Sequence, residues 1–249
     1  MRRTALAVAA ILLALIPSAA SAHTSGSGEL TIFAAASLTD VFAQLAPHAR
    51  LGFAGSDQLA LQIQQGAPAD VFAAASPKYP ELLYQQGLVE KPVAFATNTL
   101  VLVVPKANRA GIHTVDDLTR PGVKLVIGDP SVPVGSYTRT VLKNLGISAA
   151  VLKNVVSEET DVRSVLGKVA LDEADAGFVY ITDARSVRGK VSVIAIRASA
   201  QPKVVYEAAV VKASHTKRAD YAFLTRLIRP AAQKLLVSFG FGPRPKPLP

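Results

Sequence analysis

With 249 residues, 50% of them hydrophobic and 18% charged, the chain is a globular protein able to bury one large core or two modest ones. It contains no cysteine, which excludes disulfides, thiolate metal sites, a cysteine nucleophile and a lipid-modified N-terminal cysteine. The formal charge of +9 is scattered, no basic run is interleaved with aromatics, and aromatics make up only 6% of the chain, so a nucleic-acid platform is not expected.

Residues 1–22 combine a basic head (Arg2, Arg3), an apolar stretch over 5–16 and the small-residue triplet Ala20-Ser21-Ala22. That pattern predicts a cleavable secretory signal peptide, too short and wrongly flanked for a membrane anchor. The mature chain is expected to start near His23, to lie untethered in the periplasm, and to open on a Ser/Gly leader over 23–28 without fixed structure. Removing Arg2 and Arg3 lowers the formal charge from +9 to +7, a basic surface that mildly attracts anions.

Residues 30–36 read as an apolar strand that runs through three alanines to Ser37. A helix opens there, since Leu38, Val41, Phe42 and Leu45 recur at the helical period and Ser37 and Asp40 have capping-box spacing. A helix that starts at the carboxyl end of a strand presents free N–H groups and a positive dipole end, which attract an anion. The event recurs at Ser56, after a short strand over 51–54, in a helix carrying Leu59 and Ile63 that stops at Gly66. About ten helical residues carry the chain roughly 15 Å, and a strand of four or five returns it roughly 13–17 Å. Ser37 and Ser56 therefore share one sheet edge. Asp57, read as the first helical residue after a Ser56 cap, is expected to favour the dipole and to point away from the cleft.

A strand over 71–75 and a helix from Pro77 to Gly87 follow, then a long extended run over 95–104 in whose middle the chain passes between sheets. Next come a short helix (114–119), a buried strand (124–127) and a loop (128–133). The third event is Val134-Gly135, before a helix with Thr138, Val141, Leu142 and Leu145 on one face. The fourth is Asp161-Val162, where Val162, Val165, Leu166 and Val169 form an apolar stripe. A strand ends in Tyr180, another covers 191–196, and a second extended run covers 204–211. The last helices lie on either side of Pro230.

One by one these residues have ordinary explanations. Ser37 and Ser56 are N-caps, Val162 is a core residue, Tyr180 is a buried tyrosine, and Asp129, Asp161 and Asp183 are turn or first-turn acids. Their recurrence after matching strands points to a shared role. Alternating strands and helices predict an α/β fold of two lobes, each a parallel sheet with helices on both faces, with a ligand cleft between them. Lobe 1 is expected over 29–102 plus 208–249, and lobe 2 over 103–207.

The segments Phe33-Ala-Ala-Ala-Ser-Leu-Thr39, Phe53-Ala-Gly-Ser56, Gly66-Ala-Pro-Ala-Asp-Val-Phe72, Gly128-Asp-Pro130 with Val132-Pro-Val-Gly135, Asp161-Val-Arg163 and Ala176-Gly-Phe-Val-Tyr180 resemble the periplasmic molybdate-binding proteins of molybdate ABC transporters. The order holds from about residue 29 to 242. The resemblance implies the two-lobed periplasmic binding protein fold and capture of molybdate, and of tungstate, for an inner-membrane ABC permease. It implies a monomer with no catalytic residue, no cofactor and no direct metal ligand, the molybdenum being held through its oxo groups. It also implies neutral donors only: Ser37 and Ser56 from one lobe, and Val134, Val162 and Tyr180 from the other. Three departures from the family pattern stand out: Val134 in place of a smaller alanine, a shorter segment between Ser37 and Ser56, and Asp57 in place of a small polar residue.

A receptor for another tetrahedral oxyanion, sulfate or phosphate, is the alternative, because helix N-termini serve any such ion. Iron capture through paired tyrosines is disfavoured, since Tyr180 stands alone. A secreted hydrolase is the remote alternative. His23, His48, His113 and His215 have no metal-ligand spacing, and G-x-S-x-G, Walker and G-x-G-x-x-G motifs are absent.

Overall fold

The computed structural model describes residues 29–245. The signal peptide expected over 1–22, the leader and the end of the tail lie outside the described residues. The chain runs β1 (Thr31–Ala35), α1 (Thr39–Leu45), β2 (Arg50–Ala54), α2 (Ser56–Gln64), β3 (Val71–Ala74), α3 (Lys78–Gln85) and β4 (Val93–Asn98). It continues with β5 (Leu100–Pro105), β6 (Leu125–Gly128), α4 (Pro133–Asn144), α5 (Ser148–Val151), β7 (Val155–Glu159), α6 (Val162–Ala170), β8 (Ala176–Tyr180), α7 (Ile181–Ser186) and β9 (Val191–Ala195). β10 (Val204–Val210), α8 (Lys217–Leu227) and α9 (Pro230–Ser238) follow.

The strands form two five-stranded sheets, β2-β1-β3-β10-β4 and β7-β6-β8-β5-β9. Each is mixed rather than parallel. β1, β2 and β3 pair in parallel, as do β6, β7 and β8, while β10 and β5 pair antiparallel with both of their neighbours. The reason lies in the two crossings, where the chain enters the other sheet without an intervening α-helix. The first falls at Thr99, between β4 and β5, and the return falls between Ala195 and Val204. By sheet membership, then, residues 100–102 sit with the second sheet and 204–207 with the first, a few residues away from the expected boundaries.

Each entering strand becomes the fourth member of the sheet it joins, so the two orders correspond position by position, β1 with β6, β2 with β7, β3 with β8 and β10 with β5. β5, flanked on both sides, is buried at every residue of Leu100–Pro105. β7 lies at a sheet edge, alternates half-buried and exposed, and was not anticipated from the sequence; nor were α5 and α7.

One apolar cluster runs through both lobes, and a smaller one under α2 and α3 includes Leu59, Ile63, Phe72 and Leu83. Packing fixes where the helix ends point. α6 buries Val162, Val165, Leu166 and Val169, each such side chain contributing about 1.5–3 kcal/mol. It lies so close to β8 that a Cβ at Gly177 would stand 2.8 Å from Val165 Cγ1. A charge at Val165 would unseat it.

Candidate functional site

The four helix starts read from the sequence converge between the sheets. One cavity is lined by Ser37, Ser56, Val134, Val162 and Tyr180 together, with Asp161 and several alanines beside them. The space open to the centre of a water-sized molecule is about 10 Å³, which excludes a sugar or a peptide.

Neither serine is a cap. Ser37 lies in a 3-10 turn, Ala36–Leu38, that precedes α1, and its Oγ stands 2.8 Å from Tyr206 Oη. Asp40 completes no capping box with it, because Asp40 faces Arg163 instead. Ser56 is the first residue of α2, whose N-cap is Gly55, and its Oγ accepts the Ala75 N–H at 3.1 Å. Both hydroxyls turn inward because a buried partner competes for them, which releases the first N–H groups of the helices from side-chain capping.

In the second lobe the side chains recede and the backbone remains. Pro133 occupies the first position of α4, where a missing N–H costs nothing, so Val134 supplies the first N–H of that helix. Gly128 and Gly135 make this possible, for a Cβ at Gly135 would collide with the carbonyls of Gly128 and Asp129. Asp161 caps α6, its Oδ1 accepting from Arg163 N at 2.7 Å and Ser164 N at 3.0 Å, and so leaves the Val162 N–H at the cavity. Tyr180 ends β8 with its hydroxyl buried and without a hydrogen-bond partner among the described residues. Burial raises its pKa well above the ordinary value, which keeps it a donor.

The family model for bacterial extracellular solute-binding proteins matches residues 30–242. The chain belongs to this family. The molybdate-binding protein ModA of Mycobacterium tuberculosis is 39% identical over 228 residues, 88% of this chain and 86% of that protein. The substrate-binding domain of a putative molybdenum ABC transporter from Clostridium difficile is 30% identical with a TM-score of 0.65, over 87% of this chain and 99% of that one. The periplasmic molybdate-binding protein of Azotobacter vinelandii shares the fold at 24% identity with a TM-score of 0.77, over 88% and 100% of the two chains. This solute-binding protein is thus a transport receptor of the periplasmic binding protein fold and not an enzyme; it works outside the cytoplasm with a membrane permease. No helix among the described residues is long and apolar enough to cross a membrane.

Around the receptor's cavity, charged groups join the lobes rather than face the ligand space. Arg163 follows Val162 on α6, and its Nη2 donates to Asp40 Oδ2 of the first lobe at 2.5 Å. Its Nε stands 3.0 Å from Asp183 Oδ1, close enough for attraction but out of line for a hydrogen bond. Burial pushes the Asp183 carboxyl up to about 7, against the pull of Arg163. Asp57 does not line the cavity. It is the second residue of α2, and instead of pointing away from the cleft it reaches across it, its Oδ2 lying 2.9 Å from Ser131 Oγ. The same hydroxyl lies 2.7 Å from Asp129 Oδ1, and Tyr79 Oη donates to the Ser131 carbonyl at 2.5 Å. Gly55 lies so close to the Thr160 carbonyl across the cleft that a Cβ would collide with it. Sequence reasoning missed Tyr206, Asn98 and the Arg163–Asp40 bridge. No local pattern signals them, because each partner is more than a hundred residues distant in the chain. Among the described residues, no group of three or more His, Cys, Asp or Glu side chains is placed to hold a metal ion.

Proposed function

We propose that this receptor binds molybdate, and tungstate with it, in the cavity between the lobes. Ser37, Ser56 and Tyr180 donate through their hydroxyls, and Val134 and Val162 through their N–H groups, to the oxo groups of the ion. The protein then hands the ion to an inner-membrane ABC permease, acting as a periplasmic monomer without cofactor after removal of residues 1–22.

One observation carries this reading: the cavity gathers three hydroxyls, the starts of three α-helices and the 3-10 turn that leads into a fourth, and no lysine or arginine lines it. Hydrogen bonds to a charged acceptor and helix-end dipoles would supply the binding energy. The 39% identity to ModA of Mycobacterium tuberculosis supports the choice of ion. A protonated oxyanion such as hydrogen phosphate needs an acceptor for its own hydrogen, and the only carboxylate in the lining is spent on α6. Asp161 Oδ1 takes two backbone N–H groups and Oδ2 takes the Ser164 hydroxyl at 2.8 Å.

Calorimetric titration of the purified protein with molybdate, tungstate, sulfate and phosphate tests this. Molybdate and tungstate are expected to bind tightly and phosphate poorly. Tighter binding of sulfate or phosphate than of molybdate would overturn the choice of ion.

A further inference from the structure

Behind Ser37 a chain of buried hydrogen bonds leads to the first crossing between the lobes. Tyr206, on β10, is fully buried; its Oη lies 2.8 Å from Ser37 Oγ and 3.2 Å from Asn98 Nδ2. Asn98 ends β4, one residue before the crossing at Thr99. Its Oδ1 accepts the Thr99 N–H at 2.9 Å, which fixes the orientation of the amide. Nδ2 then gives one hydrogen to Thr182 Oγ1 at 3.0 Å and the other to Tyr206. An amide nitrogen donates and cannot accept. Tyr206 Oη therefore accepts from Asn98, and its own hydrogen is left for Ser37 Oγ. With an acceptor site of Ser37 occupied in this way, the single hydrogen of Ser37 is turned to the cavity.

We propose that Tyr206 and Asn98 are positioning residues that fix Ser37 as a donor toward the ligand, through the directed chain Asn98 to Tyr206 to Ser37. The inference rests on the oxyanion reading of the cavity and deepens it. The Ala75 N–H does for Ser56 what Tyr206 does for Ser37, since it occupies the serine oxygen and leaves the hydrogen free. Burial raises the Tyr206 pKa well above its ordinary value, so this hydroxyl is protonated at neutral pH.

The directed chain selects by protonation state. A fully deprotonated tetrahedral dianion meets donors only. A protonated oxyanion must set its O–H on an acceptor, and Ser37 can become one only by turning its hydrogen back toward Tyr206. That turn strands a phenol hydrogen in the interior, where an unmade hydrogen bond is expensive.

A double-mutant cycle tests this on the full protein: parent, Ser37→Ala, Tyr206→Phe and the double variant, titrated with molybdate and with phosphate, with thermal unfolding recorded for each. Tyr206→Phe is expected to weaken molybdate about tenfold, the scale of one hydrogen bond to a charged group, and to narrow the gap between molybdate and phosphate. Ser37→Ala weakens molybdate further, and the double variant then binds within about twofold of Ser37→Ala alone, because Tyr206 acts only through that hydroxyl. A Tyr206→Phe loss that persists in full without Ser37 would mean that Tyr206 acts by packing, and the relay would fall. If Tyr206→Phe does not fold, Asn98→Ala carries the same cycle one bond farther from the cavity, with a smaller loss that must likewise vanish in the Ser37→Ala background. A parent that bound no tetrahedral dianion would remove the oxyanion reading itself, and the relay with it. A parent that binds molybdate while the losses simply add removes only the relay.

Discussion

The two lobes bring the same strand order and the same kind of helix start to the cavity, yet they meet it with different chemistry. The first presents hydroxyls, Ser37 and Ser56, each turned by a buried donor behind it. The corresponding positions of the second are Val134 and Val162, buried valines whose side chains belong to the core and whose N–H groups alone remain for a ligand. A helix start supplies donors whatever residue occupies it, provided the backbone can reach. The first lobe adds serine side chains that can donate in only one sense, and the second adds close packing at Gly128, Gly135 and Gly177 and the single hydroxyl of Tyr180.

That contrast can be broken from the first lobe. Ser37→Ala or Ser56→Ala is expected to weaken molybdate by about 1.5–3 kcal/mol, the scale of a hydrogen bond to a charged group, as read by calorimetry. Parental affinity in both variants would show that the hydroxyls are not ligands. Next in size is Gly55→Ala, whose methyl would meet the Thr160 carbonyl across the cleft and, in its own lobe, the Asp57 carboxylate, which can turn aside. The clash with the backbone of Thr160, overpacking of about 1–3 kcal/mol, weighs on the closed form, an affinity loss of about ten- to a hundredfold. Small-angle scattering should show that saturating molybdate compacts the parent more than the variant, and equal compaction would refute the clash.

Asp40→Asn removes the charge opposite Arg163 at the rim. Both side chains are part-exposed, at 43% and 27%, so the pair is worth about 0.2–1 kcal/mol and the affinity should fall less than about fivefold. A much larger loss would assign Arg163 to the ion itself. The smallest effect sharpens the comparison most directly. Val134→Ala and Val162→Ala should lower the melting temperature, by loss of buried methyl groups, while molybdate affinity stays within about threefold. A large affinity change in either would mean that the valine side chain shapes the cavity.

The strand-and-helix rhythm was legible because it rests on period. The stripe of Val162, Val165, Leu166 and Val169, and the apolar runs ending near Ser37 and Ser56, carry their assignment locally. All five residues expected at the cavity line it. Their local roles were less legible. The serines looked like caps because a cap is decided by nearby residues, whereas Tyr206 and Ala75, which claim these hydroxyls, arrive through the sheet. β7 escaped notice because an edge strand of Val155–Glu159 needs only one buried face and shows little hydrophobic signal. The mixed character of the sheets was also hidden, since strand direction follows from the crossings and not from composition. Asp57 obeyed the helix dipole as expected, but the hydroxyl it meets belongs to a loop of the other lobe.

The exchange of strands at the crossings has a consequence for the order in which the molecule can be assembled. β10 lies between β3 and β4, so the first sheet has a gap until residues 204–210 join it, although its other four strands end at Asn98. Until then β3 and β4 have no partner to join them, and neither strand edge is covered. Ser37 likewise waits for Tyr206, 169 positions later in the chain. Such late, distant pairing slows folding. The first sheet therefore stays open and incomplete until the last strand slides in, and only then does Ser37 acquire the partner that turns it to the cavity.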